Sequence, residues 1–279
     1  MSKTAPFIIM LLALLVPVIV PAHQEGAKFS GALIDSLTVH HAHIEDEQRL
    51  NFSFLKDFEN DRGEKGGFST SLELAVDWSK EFRWGSEILI PLANNGADGY
   101  GLMDIEVWPI KYAFVNKPET IFTGVISATL PTGDKSRGLG GENTGLGLLF
   151  FLDHASRNWY WGVNTEIETI VSGENETAFE FASVVAYSFI RDTGTAIAPS
   201  NPSQKFVPAA LLEIVSESVL SGSAKGENVL SINPGLSLWF PSSGWAFRIG
   251  AEIPISKDKN QEYSILFSFG NHISWGDIF

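Results

Sequence analysis

Apolar and polar residues alternate along most of this chain in segments of roughly ten residues, broken by runs of Gly, Asn, Asp, Pro and Ser. A period of two puts successive side chains on opposite faces of a strand. Tyr263, Ile265, Phe267, Phe269, Ile273, Trp275 and Phe279 share one parity, and Ser264, Ser268, Gly270, His272, Ser274 and Gly276 the other. Asn271 and Asp277 break the apolar set. The same texture recurs in Phe68–Trp78, Phe82–Ile90, Trp159–Val171, Phe179–Phe189 and Trp245–Ile255. Less regular strands are expected over Gln48–Asp57, Leu102–Val115, Ile121–Leu130, Thr144–Leu152, Phe206–Ser216 and Val229–Phe240, twelve in all.

One face of these strands is greasy and aromatic, the other small or charged. The expectation is an all-β fold: a transmembrane antiparallel up-and-down β-barrel of about 12 strands, apolar side outward. A soluble β-sandwich, burying the same face in a core, is the alternative. An even strand number leaves both ends of the chain on one side. Ser79–Glu81, Asn116–Glu119, Asp153–Asn158 and Pro241–Gly244 then read as short periplasmic turns. Arg191–Lys205 is long for that side. Asn60–Gly67, Ala93–Gly101, Pro131–Asn143, Ser172–Glu176, Gly222–Gly226 and Lys257–Gln261 read as outer loops. Pro91 and Pro131 are expected to end strands, since proline cannot donate to a ladder. Asp57, Glu59 and Asp61 read as a solvated outer loop, because Arg62 stands where a calcium loop needs glycine.

The two ends sharpen this picture. Lys3 precedes an apolar run from Pro6 to Val20, too short for a comfortable span, followed by Val20-Pro21-Ala22. Residues 1–22 therefore read as a secretory signal peptide, with an uncleaved anchor as the alternative. Residues 23–44 read as an N-terminal periplasmic or plug segment and residues 45–279 as the barrel. A terminal Phe on the last strand resembles the C-terminal signature of bacterial outer-membrane proteins. Localisation in the cell outer membrane of a Gram-negative bacterium is expected.

Cysteine is absent, which excludes disulfides, thiolate metal sites and cysteine nucleophiles. The net charge is −14, or −15 once Lys3 leaves with the signal, so there is no electrostatic case for nucleic acid. Expected partners are outer-membrane lipid and lipopolysaccharide, the outer-membrane assembly machinery through the C-terminal strand, and a small-molecule solute.

Three stretches carry a family resemblance. The first is Ile90-Pro91-Leu92, then Gly99-Tyr100-Gly101-Leu102-Met103-Asp104-Ile105 and Lys111-Tyr112. The second is Leu130-Pro131-Thr132-Gly133-Asp134 before a Gly-rich loop and Gly145. The third is Asn233-Pro234-Gly235-Leu236, then Pro241, Trp245 and Ile253-Pro254-Ile255. In this order they resemble the outer-membrane barrel family named after the meta-pathway of phenol degradation, across nearly the whole mature chain. Met103-Asp104 stands where that family has Gly-Asp. The resemblance implies a porin-like transporter, associated with hydrophobic or aromatic compounds, and supplies no catalytic residues.

The inward face is the main functional clue. Glu73, Asp77, Glu87, Asp104, Glu106, Glu166, Glu168, Glu180 and Glu252, opposed by Arg83 and Arg248, are expected to line the lumen. An open lumen of that composition favours cations. A plugged lumen, in which these charges form paired networks, is the alternative. The expected function is thus an outer-membrane porin-like channel or transporter for small solutes. The rival of another class is a non-transporting structural or adhesive barrel.

His40, His41 and His43, followed by Glu45, Asp46 and Glu47, have the residue types of a Zn²⁺ or Cu²⁺ site, with His41, His43 and Glu45 on one face of an extended chain. A solvated or lumen-lining segment is the preferred reading, and no cofactor or metal is assigned. His154 and Ser156 have the spacing of a hydrolase base and nucleophile. They fall in an expected periplasmic turn, away from outer-leaflet substrates. No enzyme activity is therefore expected, and no catalytic residue is assigned.

Overall fold

The computed structural model describes residues 36–59, 65–78, 81–94, 100–141, 143–172, 175–190, 206–240, 243–259 and 261–272. The expected signal peptide, residues 23–35, the Arg191–Lys205 connection and the last seven residues lie outside them. Thirteen strands form one sheet: β1 (Glu47–Glu59), β2 (Lys65–Asp77), β3 (Trp84–Asn94), β4 (Tyr100–Leu102), β5 (Ile105–Asn116), β6 (Thr120–Leu130) and β7 (Gly145–Ser156) come first. Then follow β8 (Trp159–Ile170), β9 (Thr177–Ser188), β10 (Val207–Ser221), β11 (Asn228–Phe240), β12 (Trp245–Pro254) and β13 (Tyr263–His272).

Consecutive strands pair antiparallel, except that β5 pairs with β3 rather than with β4, and β1 pairs with β13 from Glu47–His272 to Lys56–Tyr263. With β2 also paired to β3, the sheet closes. β4 and β5 are one stave broken at Met103-Asp104, so the molecule is a closed antiparallel barrel of twelve staves. Closure leaves no edge strand, the condition for a sheet to stand in hydrocarbon.

The wall follows the expected alternation. Ile126, Leu148, Ile167, Val185, Leu212, Leu236 and Ile249 are exposed on the outside, while Val125, Leu149, Val184 and Leu211 are buried inside. Aromatic rings collect at the end of the barrel where β1 begins. Trp84 and Tyr112 lie 4.3 Å apart between ring centroids, Tyr112 and Phe114 5.0 Å, Trp159 and Tyr187 4.9 Å, and Trp245 and Phe269 5.8 Å. An apolar belt edged by aromatic residues is the outer surface of a membrane barrel.

Several boundaries differ from expectation. Pro91 does not end its strand: β3 continues to Asn94, and the Pro91 carbonyl accepts from Met103 N at 2.9 Å. Its missing N–H falls opposite the break between β4 and β5, where the ladder is already interrupted. Phe82 is not part of the lipid-facing row. It sits buried in the turn before β3 with φ +52°. Asp57 and Glu59 belong to β1 rather than to a loop, Asp57 lying at φ +55° where the β1–β2 register shifts. Finally, Asp153–Ser156 are part of β7, and the turn to β8 shrinks to Arg157-Asn158, with Arg157 at φ +55°.

Candidate functional site

The site is the interior of the barrel, built from inward positions of the strands and the chain that precedes β1. Residues Ser36–Asp46 run across the lumen near the end where β1 starts. At one side, Glu213 on β10 accepts from Leu37 N at 2.5 Å and Thr38 N at 3.0 Å. Asn233 on β11 donates to Thr38 Oγ1 at 2.9 Å. Midway, Asn164 on β8 donates to the His40 carbonyl at 2.7 Å, and the His40 ring packs edge-on to Trp108, 4.7 Å between centroids. Asp153 on β7 accepts from Ala42 N at 2.7 Å, while Thr123 on β6 donates to the Ala42 carbonyl at 2.5 Å. At the far side Ile44 lies against Gly85 of β3, and Asp46 accepts from Asp77 N of β2 at 2.7 Å.

This floor works because backbone groups inside a barrel need partners. Short polar side chains on the wall supply them. Gly235 and Gly250 leave the room that Leu37 fills; a Cβ at either would meet Leu37 Cδ1. Leu37, Val39, Ala42 and Ile44 join Trp108, Phe151, Tyr160 and Leu211 in one buried cluster.

Beside the floor lies a buried ion network. Arg49 on β1 meets Glu47 Oε1 at 3.1 Å, Glu73 Oε2 at 3.5 Å and His41 Nδ1 at 3.3 Å. Lys111 on β5 meets Glu87 Oε2 at 3.5 Å. Such charges are tolerated in a buried setting only when paired. Bordering both the floor and this network is a cavity of about 360 Å³ lined by Leu37, Arg49, Glu73, Leu89, Met103 and Leu266, among others.

Farther along the lumen the carboxylates concentrate. Glu166 on β8 stands directly opposite Glu180 on β9, and Glu180 directly opposite Glu217 on β10. Ser127 donates to Glu166 at 3.5 Å and Thr129 to Glu168 at 2.6 Å. Glu106 accepts from Trp108 Nε1 at 2.5 Å. Glu252 accepts from Ser231 at 3.2 Å and Gln261 at 3.1 Å. Arg248 is buried and donates to Ser268 at 3.0 Å.

Two residues named from the sequence take end positions instead. Arg83 is in the turn before β3, donating to the Ala113 carbonyl at 3.0 Å. Asp104 stands between β4 and β5 and ties down the following loop, accepting from Gly133 N at 2.8 Å and Gly141 N at 2.6 Å. In that loop the Ser136 hydroxyl and amide hold the Asp134 carboxyl below its ordinary range.

The sequence does not single out Arg49, Lys111, Asp153, Glu213 or Glu217 as lumen residues, and it marks Glu47 only as one of the acids that follow the histidines. Glu213 and Glu217 were accessible from parity, since they alternate with apolar outward residues of β10. Lys111 was not, because the register of β5 shifts between Val107 and Ile110 and puts both Trp108 and Lys111 inside. His154 faces outward: Nδ1 meets Thr120 Oγ1 at 2.9 Å and its ring lies 5.3 Å from that of Trp161. Ser156 sits exposed at the end of β7.

No family model matches the chain, and no curated protein is similar to it in sequence. Solved structures are similar to it in fold. An outer-membrane channel from Pseudomonas putida F1, of the COG4313 group, aligns with 85% of this chain and 99% of its own at a TM-score of 0.58 and 11% identity. The NanC porin aligns with 82% of this chain and 99% of its own at a TM-score of 0.50 and 10% identity. The chain folds as a β-barrel of the outer-membrane type.

Proposed function

We propose that this protein is a porin-like channel of the outer membrane for small solutes, narrowed on the β1 side by its own N-terminal segment. The observation that carries the reading is the closed barrel with an apolar outer surface and in-register carboxylates inside. Like charges directly opposite one another destabilise a sheet. The row Glu166–Glu180–Glu217 costs stability and supplies a negative potential in the lumen. Such a potential favours cations and cationic or neutral solutes over anions. Of the remaining residues read from the sequence as lumen-lining, Asp77, Glu106, Glu168 and Glu252 lie along the same inward parity and add to it, while Glu73 and Glu87 are offset by Arg49 and Lys111 and Arg248 opposes them.

The finer assignment, a solute that is hydrophobic or aromatic, follows from the resemblance to the phenol meta-pathway family. The cavity above the floor supports it with Leu37, Leu89, Met103 and Leu266 beside Arg49 and Glu73. A ligand with an apolar body and one polar end fits such a lining. Residues 23–44 then act as a plug, a role supported by the hydrogen bonds from Ser36–Ile44 to six strands. The rival, a barrel that transports nothing, is favoured by how fully those bonds fill the floor.

Single-channel conductance of the refolded barrel in a planar bilayer separates the two. Steady openings, with larger ones after deletion of residues 23–44, support the channel. A folded protein that stays silent with and without that segment overturns it.

A further inference from the structure

We propose that His41, His43 and Glu47 form a binding site for one transition-metal ion of the Zn²⁺ kind, which clamps the N-terminal segment into the floor of the lumen. All three side chains are buried, and one ligand atom from each lies within 4.8 Å of the others. Their order along the chain helps. His41 and His43 are two residues apart on an extended stretch, so they project to the same side. Glu47 opens β1 after the chain has turned. The third ligand is therefore Glu47, not the Glu45 that simple alternation suggests.

The donors come within reach of one ion once a ring turns. The two imidazole rings stack at 3.6 Å between centroids and 9° between planes, so their in-plane lone pairs run parallel, and a shared ion requires the His43 ring to rotate about its Cβ–Cγ bond until the two converge. His41 Nε2 stands 3.2 Å from Glu47 Oε2. That is long for a hydrogen bond to a carboxylate, ordinarily about 2.7–2.9 Å when charge-assisted. It is close to the edge of a tetrahedron with bonds of about 2.0–2.1 Å, roughly 3.3–3.4 Å. Two imidazoles and one carboxylate, with water as a fourth ligand, form a donor set for Zn²⁺ or its first-row neighbours rather than for Mg²⁺ or Ca²⁺.

Three buried carboxylates, Glu47, Glu73 and Glu87, face Arg49 and Lys111. Arg49 holds Glu47 by Oε1, which leaves Oε2 on the His41 side. Binding needs no net loss of a proton. The hydrogen of the neutral His41 ring moves from Nε2 to Nδ1, and Arg49, whose contact with Nδ1 is long at 3.3 Å, keeps Glu47 and Glu73 as acceptors. A second triad, His40 with Glu73 and Glu87, offers one nitrogen, and its carboxylates are already paired with Arg49 and Lys111. It serves as the internal control.

The site stands apart from the channel reading, because binding is measured in detergent and a closed barrel would show it equally. Full-length, untagged protein, refolded and stripped with chelator, is titrated with Zn²⁺ by calorimetry and with Co²⁺ by visible absorption. The expected result is one ion per chain, an intense four-coordinate cobalt spectrum, and binding at least tenfold weaker in His43→Ala and Glu47→Gln. His40→Ala should bind as the wild type does. Heat-modifiable gel mobility verifies folding, and His43→Gln carries the test if Glu47→Gln fails to fold. The proposal is overturned by the absence of saturable binding, by binding indifferent to His43→Ala and His43→Gln, or by binding lost only in His40→Ala.

Discussion

Asp104 shows how a short motif earns its residues. Its two carboxylate oxygens take the amides of Gly133 and Gly141, and Thr132 Oγ1 meets both Ile105 N at 2.9 Å and the Met103 carbonyl at 3.1 Å. The stretches around Asp104 and around Pro131–Asp134, which look like separate motifs in the sequence, are thus two halves of one fastening. Gly133 must be glycine because a Cβ there would overlap the Leu139 carbonyl. Replacing Asp104 with Ala should leave two amides without that acceptor and cost about 1–3 kcal/mol. The readout is faster proteolytic nicking within residues 131–141 while the barrel keeps its heat-modifiable mobility. Glu213 has the same role at the floor, accepting from Leu37 and Thr38. Glu213→Ala should free that end of the segment and make it susceptible to protease from the periplasmic side. Glu213→Gln keeps one acceptor oxygen and should have a smaller effect. Equal protection in wild type and Glu213→Ala would mean that other contacts hold the segment.

At the scale of elements, alternation is a good guide wherever a strand keeps its phase. β7, β8 and β9 do so from end to end, and their inward and outward rows follow from parity alone. β5 does not. Its register shifts next to Pro109, so Glu106 and Trp108 point inward by one parity and Lys111 and Ala113 by the other. A bulge inserts a residue without any change in composition that would announce it. That is why Lys111, and with it the pair to Glu87, was hidden in the sequence. The fit between β11 and the N-terminal segment is likewise invisible in either element alone. Gly235→Ala would push a methyl group into Leu37 Cδ1. We expect this change to loosen the segment and raise conductance, and Leu37→Ala to restore wild-type behaviour in the double variant. Additive effects of the two changes would show that they do not touch in solution.

At the scale of the molecule, the acidic side of the lumen is a collective property. Glu166, Glu180 and Glu217 line up across three strands, with Glu106 and Glu168 on flanking positions of the inward face. Neutralising Glu166, Glu180 and Glu217 together with glutamine should lower cation selectivity, read as a reversal potential moved towards zero under a salt gradient. It should also stabilise the barrel against heat, because it removes repulsion across neighbouring strands. An unchanged reversal potential would place the selectivity elsewhere.

The period of two determined an all-β fold without any coordinates, because a strand's two faces meet different surroundings and the residue pattern records the difference; the choice of barrel over sandwich was decided by closure of the sheet. The number of staves followed from counting those segments. What no single segment contains is what lies inside the closed wall. Ser36–Ile44 carries an ordinary mixture of apolar and histidine residues, and its course across the lumen depends on partners as distant in sequence as Asn233. Only closure, with β1 meeting β13, brings Glu213, Asp153, Asn164 and Thr123 around one strip of backbone whose polar groups must be satisfied there.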